Sequence, residues 1–140
     1  MPFPDILIPF GLGIFLTTGL LFVSSVVGLH RDRGVYPVTL IAIALFYVVF
    51  AFEHGGILEI AFNSVVACLF LLLAIGGYVR SLWIVAIGLI LHGLFDVVYS
   101  ASASSPAPDW WTPFCLSVDL LLGLFLAVLI WKNKIHHTPN

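Results

Sequence analysis

The run from Trp83 to Ser100, WIVAIGLILHGLFDVVYS, constrains this chain more than any other stretch. It is apolar and long enough to cross a bilayer, which takes about 20 residues of helix. Yet it carries His92 and Asp96. Their four-residue spacing puts both side chains on one helical face, and Tyr99 extends the same stripe. Ionisable groups at membrane depth are costly, and they face a bundle interior, paired, or line a functional site. Any fold must therefore give that face an inside.

The remaining segments are made of similar material. The chain of 140 residues is 61% hydrophobic and 9% charged, against about 25% charged in soluble domains. A net charge of −2 with no basic stripe argues against nucleic acid as a partner. The lipid bilayer is the expected surrounding. Cys68 and Cys115 make no disulfide framework. Their expected depths differ by roughly 12–15 Å, too far for a bridge.

The expected fold class is all-α, a single transmembrane domain of five helices over about 6–29, 38–52, 57–78, 82–100 and 113–131. The start, MPFPDILIPF, lacks a positive n-region and is kept in the mature chain. In the first span Gly13, Thr17, Ser24 and Gly28 recur at helical spacing, as in closely approaching membrane helices. HRDRGVYP is the first break, and Glu53-His54-Gly55-Gly56 turns the chain from the second span into the third. Gly76-Gly77 are expected to loosen the end of span three, and Ser81 to cap span four. After SASASSPAPDWW, Thr112-Pro113 reads as an N-cap with proline at the first helical position. Trp110 and Trp111 read as an interfacial belt, and the tail KNKIHHTPN is polar and expected to fray.

Arg31, Arg33, Arg80, Lys132 and Lys134 all fall on one side of a five-span topology. The positive-inside rule then puts the N-terminus outside and the C-terminus in the cytoplasm. Asp5, Glu53, Glu59, Asp96, Asp109 and Asp119 fall toward the outer side. At about 1.5 Å of rise per residue, Glu59, Asp96 and Cys115 lie roughly 3–6 Å below the outer helix ends, and Asn63, His92 and Asp119 roughly 10–12 Å below. Three helices thus deliver polar groups to two matching layers, with Glu53 and His54 as a polar lid. The expectation is one pocket in the outer half of the bundle, lined also by Tyr99.

GGILEIAF, YVRSLWIVAIGLILHGLFDVVY and FCLSVD together resemble a family of small bacterial multi-pass membrane proteins described only as a domain of unknown function. The resemblance rests on Glu59 and Phe62, Tyr78 and Arg80, Ile87 and Gly88, His92 with Asp96 to Val98, and Cys115 with Asp119. It covers about Gly55 to Asp119. The family pattern has a further histidine after Asp-Val-Val, where this chain has Tyr99-Ser100. What the resemblance implies is a bacterial inner-membrane location and a shared set of pocket residues, with no activity attached.

Three classes of function fit these residues. In an acid–base enzyme acting on a small or lipid-phase molecule, His92 is the proton shuttle oriented by Asp96, with Asp119 or Glu59 as the second acid–base group. Isomerisation, hydration, cyclisation or hydrolysis would suit such a pocket. No cofactor is expected, since there is no Gly-x-Gly-x-x-Gly, P-loop or Cys-x-x-Cys-His. A Zn²⁺ version would recruit His54, His92 and carboxylates. It is the weaker variant, because only those two histidines lie on that side. In an accessory subunit of a membrane complex, or a homo-oligomer, the same polar groups would serve helix packing. A proton or cation carrier is a third class, for which an inner exit would have to run among Ser24, Ser25 and Thr39.

Overall fold

The computed structural model describes residues 3–136; residues 1–2 and 137–140, with Pro2 and the end of the polar tail, lie outside the described residues. Five helices follow one another: α1 (Phe3–Val27), α2 (Val35–His54), α3 (Ile57–Val79), α4 (Leu82–Ser100) and α5 (Trp111–Trp131), with a 3-10 turn at Leu29–Arg31. No strand occurs among the described residues. All five helices are long and apolar enough to span a membrane.

The helix ends differ from the sequence expectations for local reasons. α1 stops before Gly28, whose φ of 82° is left-handed, a conformation that glycine adopts at little cost. α2 begins at Val35, so that Pro37 belongs to its first turn. A first-turn N–H has no intrahelical acceptor, so a proline there loses nothing. The same reasoning corrects the start of α5. Trp110 occupies the cap position and the helix opens at Trp111, whose N–H donates to the Pro108 carbonyl at 2.9 Å. Thr112 is therefore not the cap, and Pro113 lies within the first turn. Trp111 is buried while Trp110 is exposed, so only the latter can serve an interfacial belt. Ser81 does occupy the cap position of α4, although its hydroxyl makes no capping bond.

Gly76 and Gly77 do not loosen α3, which continues through them to Val79. Gly77 is buried against Val85 of α4, where a Cβ would have no room. Of the small residues on α1, Gly13, Thr17 and Ser24 are buried, whereas Gly28 lies beyond the helix and is exposed. At Gly13 the helix backbone meets the Ser117 hydroxyl and the Phe114 carbonyl of α5.

α4 lies at the centre, between α3 and α5 and touching α2, and α1 packs on the far side of α5. Half of the α4 span is buried but only 11% of the α1 span. Leu40, Ala44, Val85, Ala86, Leu89 and Leu126 form the inner core. In lipid such an interface is held by close packing, because apolar surface gains little by leaving one hydrocarbon for another.

The two ends of the bundle differ in charge. Arg33 donates from Nε and Nη2 to the Tyr78 carbonyl at 2.9 and 2.6 Å. The His136 N–H donates to the Arg31 carbonyl at 2.9 Å. These bonds join the α1–α2 connection, the end of α3 and the segment after α5 into one basic end. At the other end the start of α1 and Asp109 border the same cavity.

Gly123 marks the tightest approach of α5 to α4. A Cβ there would meet Ile90 Cγ1 at 2.9 Å and the Ala86 carbonyl at 3.1 Å. Gly123→Val should destabilise the bundle by about 1–3 kcal/mol through overpacking. Gly11, with nothing near its Cβ position, should tolerate alanine or gain slightly from helix propensity. Thermal unfolding in detergent checks both; equal effects at the two positions would contradict the close approach.

Candidate functional site

α4 and α5 build the site between them, each contributing a pair of polar residues one helical turn apart. His92 and Asp96 project from α4, and Cys115 and Asp119 from α5. The helices can bring these pairs together because Gly93 leaves room at the crossing. A Cβ at Gly93 would meet Asp119 Cβ and Leu116 Cδ1, each at 3.2 Å.

His92 Nδ1 hydrogen-bonds Asp119 Oδ2 at 2.8 Å. The Cys115 thiol donates to the same oxygen at 3.5 Å. Asp96 Oδ1 lies 3.8 Å from His92 Nδ1, too far for a hydrogen bond. His92 is 1% exposed, and Asp96 and Asp119 are 0% exposed, so this is a closed centre.

Its hydrogen bonding is incomplete. Among the described residues, both oxygens of Asp96 and Oδ1 of Asp119 have no partner. The Tyr47 hydroxyl from α2 faces Asp96, with Thr112 beside it, and the Cys115 thiol also neighbours Asp96, although none of these contacts reaches full hydrogen-bond geometry. Buried polar atoms are nearly always bonded, so a cluster with more acceptors than well-aligned donors calls for a reason.

Aromatic rings enclose the histidine. Phe70 packs edge-on at 4.8 Å between centroids and Tyr47 at 6.2 Å. Tyr47 in turn packs on Phe95 and Tyr99. This wall keeps the local dielectric low, which strengthens every polar contact inside and raises the cost of any left unmade.

The other sequence-predicted residues fall in different places. Asn63 and Tyr99 are buried and joined, Nδ2 donating to the Tyr99 hydroxyl at 3.1 Å. That hydroxyl donates onward to the Ser104 carbonyl at 3.1 Å, so the pair braces α3 and α4 against the following loop. Glu59 stands apart from the centre. Its carboxylate accepts from the Gly56 N–H at 2.9 Å and closes the first turn of α3. Glu53 and His54 are exposed and face each other at 3.9 Å, and neither belongs to the buried cluster. A zinc site using His54 would therefore not form at His92. Cys68 is exposed and Cys115 buried, and both are free.

Tyr47 is the residue that sequence reasoning missed. It lies seven residues before the end of α2, or roughly 10 Å below the helix end, level with the expected depth of His92 and Asp119. Applying the depth argument to hydroxyls as well as to ionisable groups would have found it.

Two cavities flank the centre. One of about 480 Å³ at the acidic end is lined by Ser100, Ser102, Ser105, Asp109 and Thr112, among others. The other, of about 250 Å³, opens between α1, α2 and α5 and is lined by apolar residues together with Thr17 and Cys115. No family model matches the chain, and no curated protein or solved structure is similar to it at a meaningful level.

The two aspartates should respond in opposite directions to removal of charge. In chelator-treated protein, Asp96→Val should raise stability, because it removes a buried carboxylate with no partner, a penalty of about 1–3 kcal/mol. Asp119→Val strands the imidazole and should lower stability by a similar amount of about 1–3 kcal/mol. Melting temperatures of both variants beside the unmodified chain are the measurement. A loss in both would mean that Asp96 is bonded after all.

Proposed function

We propose that this chain is an integral membrane protein whose buried His92–Asp119–Asp96 centre performs acid–base chemistry on a small lipid-phase molecule. The observation that carries this reading is the burial of two carboxyl groups and one imidazole in a single cluster, in which Asp119 is bonded to His92 and Asp96 makes no hydrogen bond of full geometry. A residue kept only to join helices would be firmly paired. One kept for chemistry needs a free acceptor when the substrate arrives.

The roles follow from the distances. Asp119, and not Asp96 as expected from the sequence, holds the imidazole through Nδ1 at 2.8 Å, as a carboxylate orients a catalytic histidine. His92 carries the proton. Asp96, 3.8 Å from the same nitrogen, is the second acid–base group, and Tyr47 stands beside it. The apolar cavity that reaches Cys115 is a side entrance suited to a molecule dissolved in the bilayer. Isomerisation, hydration, cyclisation and hydrolysis all need such a pair of proton carriers.

The carrier alternative has less support. Of Ser24, Ser25 and Thr39, the last two donate back to their own helices at 2.7 and 2.8 Å, which leaves little continuous relay through the basic half. The family resemblance falls on the same residues and adds a bacterial inner membrane as the location. The positive-inside rule, applied to the basic end of the bundle, favours an N-terminus outside and a C-terminus in the cytoplasm.

Two experiments test the proposal. Lipids extracted from membranes making the unmodified chain should contain a species differing from its precursor by one water, or isomeric with it. His92→Gln should cut its formation by about 100-fold or more; identical lipid profiles would overturn the enzyme reading. For orientation, single cysteines placed at Asp109 and Lys134 in a chain without its own cysteines should label from outside and inside respectively. Labelling of both from one side would refute the topology.

A further inference from the structure

We infer that His92, Asp96, Cys115 and Asp119 together form a Zn²⁺ site. The inference deepens the reading above by supplying its centre with a metal, and it rests on that reading only for what the metal does.

The donor set comes first. One imidazole nitrogen, one sulfur and two carboxylates lie with their ligand atoms within 4.8 Å of one another, all four residues buried. A tetrahedral zinc ion with bonds of about 2.0–2.3 Å has ligand atoms about 3.3–3.8 Å apart. Three of the six separations are 2.8, 3.5 and 3.8 Å and none exceeds 4.8 Å, so side-chain adjustments of about 1 Å would close the shell. Mixed nitrogen, sulfur and oxygen donors suit zinc, whereas calcium and magnesium take oxygen alone.

The orphaned acceptors supply a second observation. Two carboxyl groups in a closed apolar centre must be neutralised, by protons or by a cation. All five Lys and Arg residues of the chain belong to the connections at the other end or follow α5. The unpartnered oxygens of Asp96 and Asp119 lie in this same cluster, where a dication would bind them.

Loading has a defined proton balance. The imidazole must carry its proton on Nε2 so that Nδ1 binds the metal, and the Cys115 thiol releases its proton to solvent. Zn²⁺ with two carboxylates, a thiolate and a neutral imidazole leaves one net negative charge. The unpartnered Tyr47 hydroxyl beside Asp96 is placed to donate a hydrogen bond to it, as outer-shell groups commonly do at metal sites. The polar cavity lined by Ser102, Asp109 and Thr112 provides an approach, since Thr112 also neighbours Tyr47.

The test uses the full chain in detergent, stripped with a chelator and titrated with Zn²⁺ or Co²⁺. One metal per chain is expected, with the strong visible absorption of tetrahedral Co²⁺ and a sulfur-to-cobalt charge-transfer band. Cys115→Ser should abolish that band while Co²⁺ still binds. Asp96→Asn should weaken binding by about tenfold or more, and a given Zn²⁺ concentration should raise the melting temperature of the unmodified chain by more than that of this variant. Failure to bind one equivalent, or binding unaffected by both substitutions, overturns the site. A His92-dependent lipid change in protein that takes up no metal overturns the metal site and leaves the acid–base reading. A loaded site in membranes whose lipids do not change does the reverse.

Discussion

The hydrogen bond from His92 to Asp119 is made where water cannot replace it, and the geometry of the bundle is arranged to allow it. At 2.8 Å it needs the α4 and α5 backbones close together. Gly93 permits that approach at the bond itself, and Gly123 permits it one turn beyond Asp119, against Ala86 and Ile90. Tyr47 and Phe70 then bring α2 and α3 against the imidazole. The central position of α4 follows, since it alone contacts α2, α3 and α5 substantially.

Magnitudes separate the parts of this cluster. A hydrogen bond bridging two membrane helices contributes about 0.6 kcal/mol on average, so the His92–Asp119 bond can be understood as modest helix glue. Asp96 is harder to understand that way. A buried polar group left without a well-formed bond costs up to about 1–3 kcal/mol, which exceeds what the neighbouring bond returns. Proteins keep such residues where function requires a destabilised site. The same excess of acceptors over donors is what distinguishes a place made to receive a proton, a substrate or a cation from one made only to hold helices together.

Much of the architecture was legible in the sequence because apolar runs of about 20 residues admit few folds. The five helices lie where the runs lie, with ends shifted by two or three residues at Gly28, Val35 and Trp111. The end at Gly28 follows from its left-handed φ, whereas the two starts move because Pro37 and Pro113, read as lying just before the helix and at its first position, each sit inside a first turn that needs no N–H. Within the cluster, the two four-residue pairs were legible from helical periodicity. Depth alone could not tell which groups converge, because it fixes height along a helix and leaves direction around it open. Glu59 has a suitable height, yet its side chain turns back to Gly56. Tyr47 was overlooked because a tyrosine in an apolar span passes for packing.

The bundle is polar in one half only, and that asymmetry limits how its centre can be reached. Toward the basic end, Ser25 and Thr39 are bonded to their own helices, and Tyr36 is bonded to the His30 carbonyl at 2.8 Å. The contacts toward the acidic end are of another kind. Thr112 stands between a serine-lined cavity and Tyr47, and Cys115 stands between an apolar side cavity and Asp119. Each of these small residues has one side toward a cavity and the other toward the centre. A polar species and a lipid-phase species thus have separate approaches to the same few oxygens, both in the half where the unpartnered acceptors lie. A path through the membrane would need a matching series of free donors in the basic half, where the Ser25, Tyr36 and Thr39 hydroxyls already donate to backbone carbonyls. The arrangement therefore suits a centre that takes in and releases its ligands from one half of the bilayer.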